Sequence, residues 1–413
     1  MISLEDVFEA YYSCVRKKRG TESAIEFEVN YPEHCIKLWL DINDRTYKPS
    51  KSIAFIVTKP RRREIFAASF RDRIVHHLID KKIRPLMEID LIEKTCNNRI
   101  EKGTAKCVDY LKEDIILVSN NYTTDCWAAK MDMKGFFMSI RKDILTEKIL
   151  DYISANYFED DREDIKWLTD VTVNDHPEKN CVLKSAWSEW QLLDKNKSLF
   201  YVGDICGLPI GNLISQLLAN FYLNEFDHYV TEDLGFPQYG RYVDDFYIVH
   251  NNKDKILNSI PLMRKKLEEI GIELHPDKFY IQYYTRGIEL VGTVIKPERT
   301  YVHNRTVNNA FQAIRNLNKI DDVEANADQF IAVVNSYLGF MKTNCSYSIR
   351  RNLLVELEKK WWDLIYVDAS FGKVILRKEY NSREKIRQEI INNQIKNKRK
   401  VNGKAKSNKP KTK

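Results

Sequence analysis

The sequence predicts an α+β fold: a mixed body followed by a helical end. Three observations carry that prediction. Short apolar runs at 53–57, 127–131, 240–249, 279–283 and 289–294 read as strands. Amphipathic stretches with helical spacing lie between them, as at 253–270, where Ile256, Leu262, Leu267 and Ile270 are the apolar positions. From about 304 onward every apolar pattern is helical, so the architecture changes near 296–304. With 413 residues and 43% hydrophobic content, the chain can fill two or three subdomain cores.

In chain order, Ser3 caps a helix through Val7, Phe8, Tyr11, Tyr12 and Val15 that stops near Gly20. A second helix covers roughly 33–44. Ile53–Val57 is a strand, and Thr58–Arg63 a basic turn. Residues 69–84 and 104–119 are helical. Trp127–Met131 is a buried strand ending at Asp132, and a helix follows from Lys142 to about Tyr157. Segment 159–205 is polar, with three Asp in 160–164 and a weakly helical stretch at 184–194. Pro209 and Gly211 open a long apolar helix over 212–231. A strand-turn-strand lies around 240–249. The final helices are 305–317, 327–342, 347–364 and 376–395.

Composition limits the function classes. No apolar run approaches the roughly 18 residues of a membrane span. Met1–Cys14 carries acids where a secretory signal carries bases, so a cytoplasmic protein is expected. The eight cysteines are scattered with no CxxC pair, which fits buried thiols in a reducing compartment and no zinc site. The formal net charge is +7, but residues 396–413 alone hold nine Lys/Arg and no acid. The body is therefore near neutral, and nucleic-acid affinity in it must come from local basic patches. The tail reads equally as a solubilising end or a nucleic-acid contact.

Two segments carry candidate chemistry. Arg241-Tyr-Val-Asp-Asp-Phe-Tyr-Ile-Val249 sets two adjacent acids between apolar flanks. Neighbouring strand residues face opposite ways, but a turn lets both acids face one cleft. Most Asp-Asp pairs are solvated turns, so this segment alone decides nothing. Lys130-Met-Asp-Met-Lys-Gly-Phe-Phe-Met-Ser-Ile140 places Asp132 at a strand end, with Phe136 and Phe137 shortly after. Two such strand ends can lie side by side in one sheet. Three carboxylates there can hold two divalent ions about 3.5–4 Å apart for in-line phosphoryl displacement. Mg²⁺ suits such an all-oxygen site.

The Tyr-Val-Asp-Asp box at 242–245 resembles the metal-binding hairpin of reverse transcriptases, and 132–140 resembles their first palm motif. The resemblance implies a right-hand polymerase. Residues 1–127 would be N-terminal helices and fingers. The palm, an antiparallel sheet with helices, would be 128–296 with a polar insertion near 159–205. Residues 297–372 would be a helical thumb, and 373–413 a basic C-terminal helix and tail. It also implies that Asp132, Asp244 and Asp245 are catalytic and bind two Mg²⁺ ions, with Mn²⁺ as a substitute, and that dNTPs are the substrates. Phe137 matches the aromatic gate under the sugar, with Phe136 as its core neighbour.

Lys59-Pro-Arg-Arg-Arg-Glu-Ile65, Phe70–His77 and Asn98–Thr104 resemble the fingers motifs in the same order. By that match Lys59, Arg63 and Arg99 face the incoming nucleotide. Arg61 and Arg62 face template phosphates or solvent, Arg73 and Asp72 form a structural ion pair, and His76 and His77 pack. Lys278 stands where the family often has a lysine able to protonate pyrophosphate; a plain surface lysine is the alternative reading. Glu289–Ile295 resembles the primer-grip hairpin, with Gly292 allowing close approach. Trp361 and Trp362 are expected in the thumb core.

Gly207-Leu-Pro-Ile-Gly-Asn-Leu-Ile-Ser-Gln216 discriminates between subtypes. Most reverse transcriptases have Gln where Ile210 stands and Pro where Gln216 stands. Ile210, Gly211 and Gln216 together resemble the enzymes of diversity-generating retroelements, within the bacterial superfamily that includes group II intron and retron enzymes. Lys197–Phe200 and Ala219–Asn224 support the match. It implies error-prone cDNA synthesis from a template-repeat RNA, a DNA primer, a small basic helical accessory protein and a bacterial or phage origin. Ile in place of Gln removes one polar contact, about 1 kcal/mol of selection. A retron-like or phage-defence reverse transcriptase of ordinary fidelity stays open. So does a non-catalytic RNA-binding scaffold with a palm fold.

Overall fold

The computed structural model describes residues 1–16, 22–58 and 61–377. The chain divides into two compact units. Among the described residues, one comprises 1–291 with 295–298; the other comprises 292–294 with 299–377.

In the first unit, Ser3 accepts a hydrogen bond from the Asp6 amide and opens the helix Leu4–Val15. Its buried face, with Val7, Ala10, Tyr11 and Cys14, packs on the long helix Phe70–Asp90. That helix continues through Pro85, beyond the expected end at 84. The helices Glu22–Val29, Tyr31–Asn43 and Thr104–Val118 complete the N-terminal part.

A small sheet follows. β1 (Ser52–Val57) pairs antiparallel with β2 (Arg63–Ala67) across the basic turn. The polar segment contributes to this sheet. It folds as the helix Arg162–Val173, then β4 (Cys181–Leu183) parallel to β1, then the short helix Trp187–Gln191.

The central sheet has the order β5-β6-β3-β7, with β3 (Trp127–Lys134), β5 (Tyr239–Tyr242), β6 (Asp245–His250) and β7 (Glu273–Tyr283), all antiparallel. Alternation sends Ala129, Met131, Phe246 and Ile248 into one core, and Ala128, Tyr247 and Val249 into another. Helices cover both faces, so these strands read as unbroken apolar runs. β3 passes beyond its expected end at Asp132, because Met133 and Lys134 find partners in Leu274 and Glu273.

The predicted helix over 212–231 is three pieces: Leu213–Tyr222, Asn224–His228 and a wider π turn at Tyr229–Asp233. Asp72 does not pair with Arg73. Its carboxylate accepts from the Tyr47 hydroxyl, the Ser50 amide and the hydroxyl of the N-cap Ser69 and meets Arg71, so its oxygens are occupied by neighbours other than Arg73.

β8 (Ile288–Leu290) and β9 (Thr293–Lys296) flank a tight turn at Val291 and Gly292, both with positive φ. The second unit continues from β10 (Arg299–Val302) into the helices Asn304–Asn318, Ala327–Lys342, Tyr347–Val355 and Lys359–Trp362. The expectation of helix alone after 304 fails here. β11 (Ile365–Val367) and β12 (Val374–Leu376) form a hairpin, with Ile365 and Val374 facing the helical core. Trp361 is fully buried and stacks on Phe330 at 4.1 Å. The expected helix over 376–395 and the basic tail lie outside the described residues.

Candidate active site

Asp132 and Asp245 stand directly opposite each other on β3 and β6. Like charges in that position destabilise a sheet, so packing alone gives no reason to place them there. The β5–β6 turn brings Asp244 to the same edge: its carbonyl accepts from the Met133 amide at 3.2 Å. Val243, at the turn's corner, has φ +61°, a left-handed conformation costly for a β-branched residue. Burial, together with Asp132 and Asp245, pushes the Asp244 carboxyl up to about 7. Burial also raises Asp245, while Lys130 holds it down.

Two lysines neutralise this edge. Lys278 contacts Asp132, and Lys130 lies 3.3 Å from Asp245. Lys130 shares its face with Asp132, two residues along β3, yet its part went unread in the sequence. Lys278 reaches the site because the β3–β7 register breaks. Met131 faces Phe279 and Met133 faces Leu274, so residues 275–278 bulge opposite Asp132. Crowded oxygen ligands of one sign, one of them raised by its neighbours, suit divalent cations. The three carboxylates do not close into the one tight group found among the described residues. That group is His176, Glu178 and Asp204, with ligand atoms within 4.8 Å, in the polar segment.

The reverse transcriptase (RNA-dependent DNA polymerase) family matches residues 48–295, which is most of the first unit and more than half of the chain. The chain belongs to the reverse transcriptase family. The family is that of RNA-directed DNA polymerases, which are nucleotidyltransferases, and its right-hand polymerase class agrees with the α+β fold. Members of the family use divalent metal ions. Among solved structures, the chain is similar to a telomerase from Candida albicans in complex with a fragment of telomeric RNA, at 12% identity and TM-score 0.42. It is also similar to an apo telomerase from Candida tropicalis, at 14% identity and TM-score 0.45. Each likeness covers 75% of this chain, but only 59% and 56% of the telomerase chains. No curated protein gives a match.

The family's other motif residues take varied positions. Lys59 lies outside the described residues. Arg63 is exposed at the start of β2, and its charge opposes the burial that raises the Tyr242 hydroxyl. Arg62 pairs with Glu189, and Arg61 is exposed. Arg99 corrects the expectation. Its guanidinium is spent on Glu88 and on the carbonyls of Ile92 and Thr95, and its side chain is 4% exposed. It ties a loop to the end of a helix and offers no free donor face.

Phe136 is core, while the neighbouring Phe137 is half-buried. The Ile210 carbonyl accepts from the Phe66 amide at 2.9 Å, which fastens this turn to β2. Gly211 follows at φ +117°, and a Cβ there would meet the Ile65 Cγ2 at 2.8 Å. Gln216 is half-buried in the helix Leu213–Tyr222. His76 is buried, with no partner for its Nδ1. His77 lies against Ser13.

Proposed function

We propose that this chain extends a DNA primer on an RNA template at the edge formed by Asp132, Asp244 and Asp245. The observation that carries the proposal is the direct pairing of Asp132 with Asp245, with Asp244 locked beside them through its carbonyl. The three acids would hold two Mg²⁺ ions, with Mn²⁺ as substitute. Those ions would supply charge neutralisation at the attacking and leaving oxygens. Lys278 is assigned to the incoming phosphate, where it would give its proton to pyrophosphate; its half-exposed contact with Asp132 supports the assignment. Arg63, with Lys59, is assigned to the triphosphate, and Phe137 to the sugar. In this reading residues 1–127 are N-terminal helices and fingers, the sheet β5-β6-β3-β7 is the palm floor, and the second unit is the thumb.

The subtype reading is that of a diversity-generating retroelement enzyme, making error-prone cDNA from a template-repeat RNA with a small basic accessory protein. Ile210 and Gln216 support it. Ile210 presents an aliphatic side chain where a Gln would offer hydrogen bonds to the nucleotide or template. A cytoplasmic, bacterial or phage setting goes with this reading, as do eight cysteines without a disulfide. No helix among the described residues is long and apolar enough to cross a membrane.

The test is primer extension with purified chain, Mg²⁺, dNTPs and an adenine-containing RNA template, followed by sequencing. Asp244→Ala is expected to abolish the product. Errors clustered opposite adenine, reduced by Ile210→Gln, are expected for the subtype. Faithful product from the wild type would leave the polymerase standing and remove the subtype. Product surviving in Asp244→Ala would remove the site.

A further inference from the structure

Arg241 immediately precedes the Tyr-Val-Asp-Asp box, yet its side chain reaches no solvent. Its guanidinium is 0% exposed, as is the Asp227 carboxylate beside it. Its Nε donates to both Asp227 oxygens at 2.8 and 3.1 Å, and its Nη2 donates to Asp227 Oδ2 at 2.6 Å. Asp227 also accepts from the hydroxyls of Tyr239 and Thr95. The remaining arm, Nη1, points the other way. It donates to the Val243 carbonyl at 3.0 Å and to the Asn220 side chain at 3.3 Å. Asn220 in turn donates to the Asn97 carbonyl, and the Arg241 carbonyl accepts from the Cys96 amide.

Val243 is the residue whose backbone is left-handed, and Asp244 and Asp245 follow it directly. A valine does not take that conformation unless its surroundings impose it. The atom that fixes the plane of the Val243–Asp244 peptide is the Val243 carbonyl oxygen, which Arg241 grips. Asp227 fixes the guanidinium from behind. Isolated buried charges are costly, and a hydrophobic pair of similar volume often serves stability as well. Stability alone therefore gives no reason for an arginine with one arm on this carbonyl.

We propose that Arg241 is a positioning residue. Braced by Asp227, it holds Val243 in the left-handed conformation and so presents Asp244 and Asp245 for divalent-cation binding. This deepens the proposed active site and rests on that reading. Lysine at 241 would keep the charge but could not span Asp227 and the Val243 carbonyl together. Glycine at 243 adopts positive φ without help.

The test compares wild type, Arg241→Lys, and Arg241→Lys combined with Val243→Gly, each as the full chain. Mn²⁺ binding is followed by electron paramagnetic resonance and primer extension in parallel. Arg241→Lys is expected to weaken Mn²⁺ binding by on the order of 10-fold, the scale of losing a group that orients metal ligands. Adding Val243→Gly is expected to restore most of it. Unchanged Mn²⁺ binding in Arg241→Lys would overturn the proposal. So would a loss that Val243→Gly does not repair, because a purely structural ion pair is indifferent to the backbone at 243. Failure of both variants to fold would also overturn it, by making the pair a folding element. Asp244→Asn in the wild-type background separates the two readings: full Mn²⁺ binding and activity there would sink the active site itself, whatever Arg241 does.

Discussion

Asp132 faces Asp245 across a ladder rung where two like charges repel, and the sheet tolerates this by setting Lys278 and Lys130 beside them. His76 is a second residue whose environment opposes its ordinary chemistry. Burial pulls its imidazole down to about 4, and the nearby Asp72 only partly offsets this. Between about 6.5 and 4 the unfolded chain binds a proton at this histidine and the folded chain does not. Stability is therefore lost as pH falls through that window, by up to about 3 kcal/mol from this group. Urea unfolding from pH 7 to 4.5 is expected to show a shallower decline for His76→Leu than for the wild type. Parallel declines would mean that His76 titrates normally.

Among the elements, the polar segment 159–205 gains its meaning from Glu64. This carboxylate, 1% exposed at the second position of β2, accepts from Trp190 Nε1, the Ser198 hydroxyl and the Leu199 amide at 2.6–2.7 Å. One buried acid thus binds the β1–β2 hairpin to a segment more than 120 residues later. Glu64→Ala would leave three buried donors unpaired and is expected to cost about 3 kcal/mol or more, read as a lowered denaturant midpoint. Hydrogen exchange should quicken in both β2 and 187–201. Loss of protection in one alone would show that Glu64 does not join them.

At the scale of the whole molecule, the apolar residues fall into separate cores, and among the described residues the core of the second unit contains residues of that unit alone. It contains Trp361 stacked on Phe330, and Leu338, Met341 and Leu353 belong to the same buried cluster. Trp361→Ala is expected to cost that unit about 3–5 kcal/mol. Hydrogen exchange should then rise across 299–377 and stay unchanged in β3 and β6. Equal acceleration in β3 and β6 would show that the two units unfold as one. Where units unfold separately, a single melting temperature does not describe the chain.

The sequence by itself determined the α+β class, the hairpin carrying Asp244 and Asp245, and the strand carrying Asp132. Those signals are local: short apolar runs, an acid pair between apolar flanks, and helix caps such as Ser3. The motif resemblance also anticipated the family. Other features waited on tertiary structure because their partners are distant in the chain. Arg99 looks like a phosphate ligand until Glu88 and the carbonyls around it are seen to use its donors. Arg241 looks like a flanking residue until Asp227 lies behind it. The broken helix at 213–233 and the β11–β12 hairpin follow from packing, which overrides helical periodicity where a neighbouring core supplies the stabilising contacts. Lys278 meets Asp132 only because β7 bulges there, and register between strands is decided by the whole sheet, not by either strand alone.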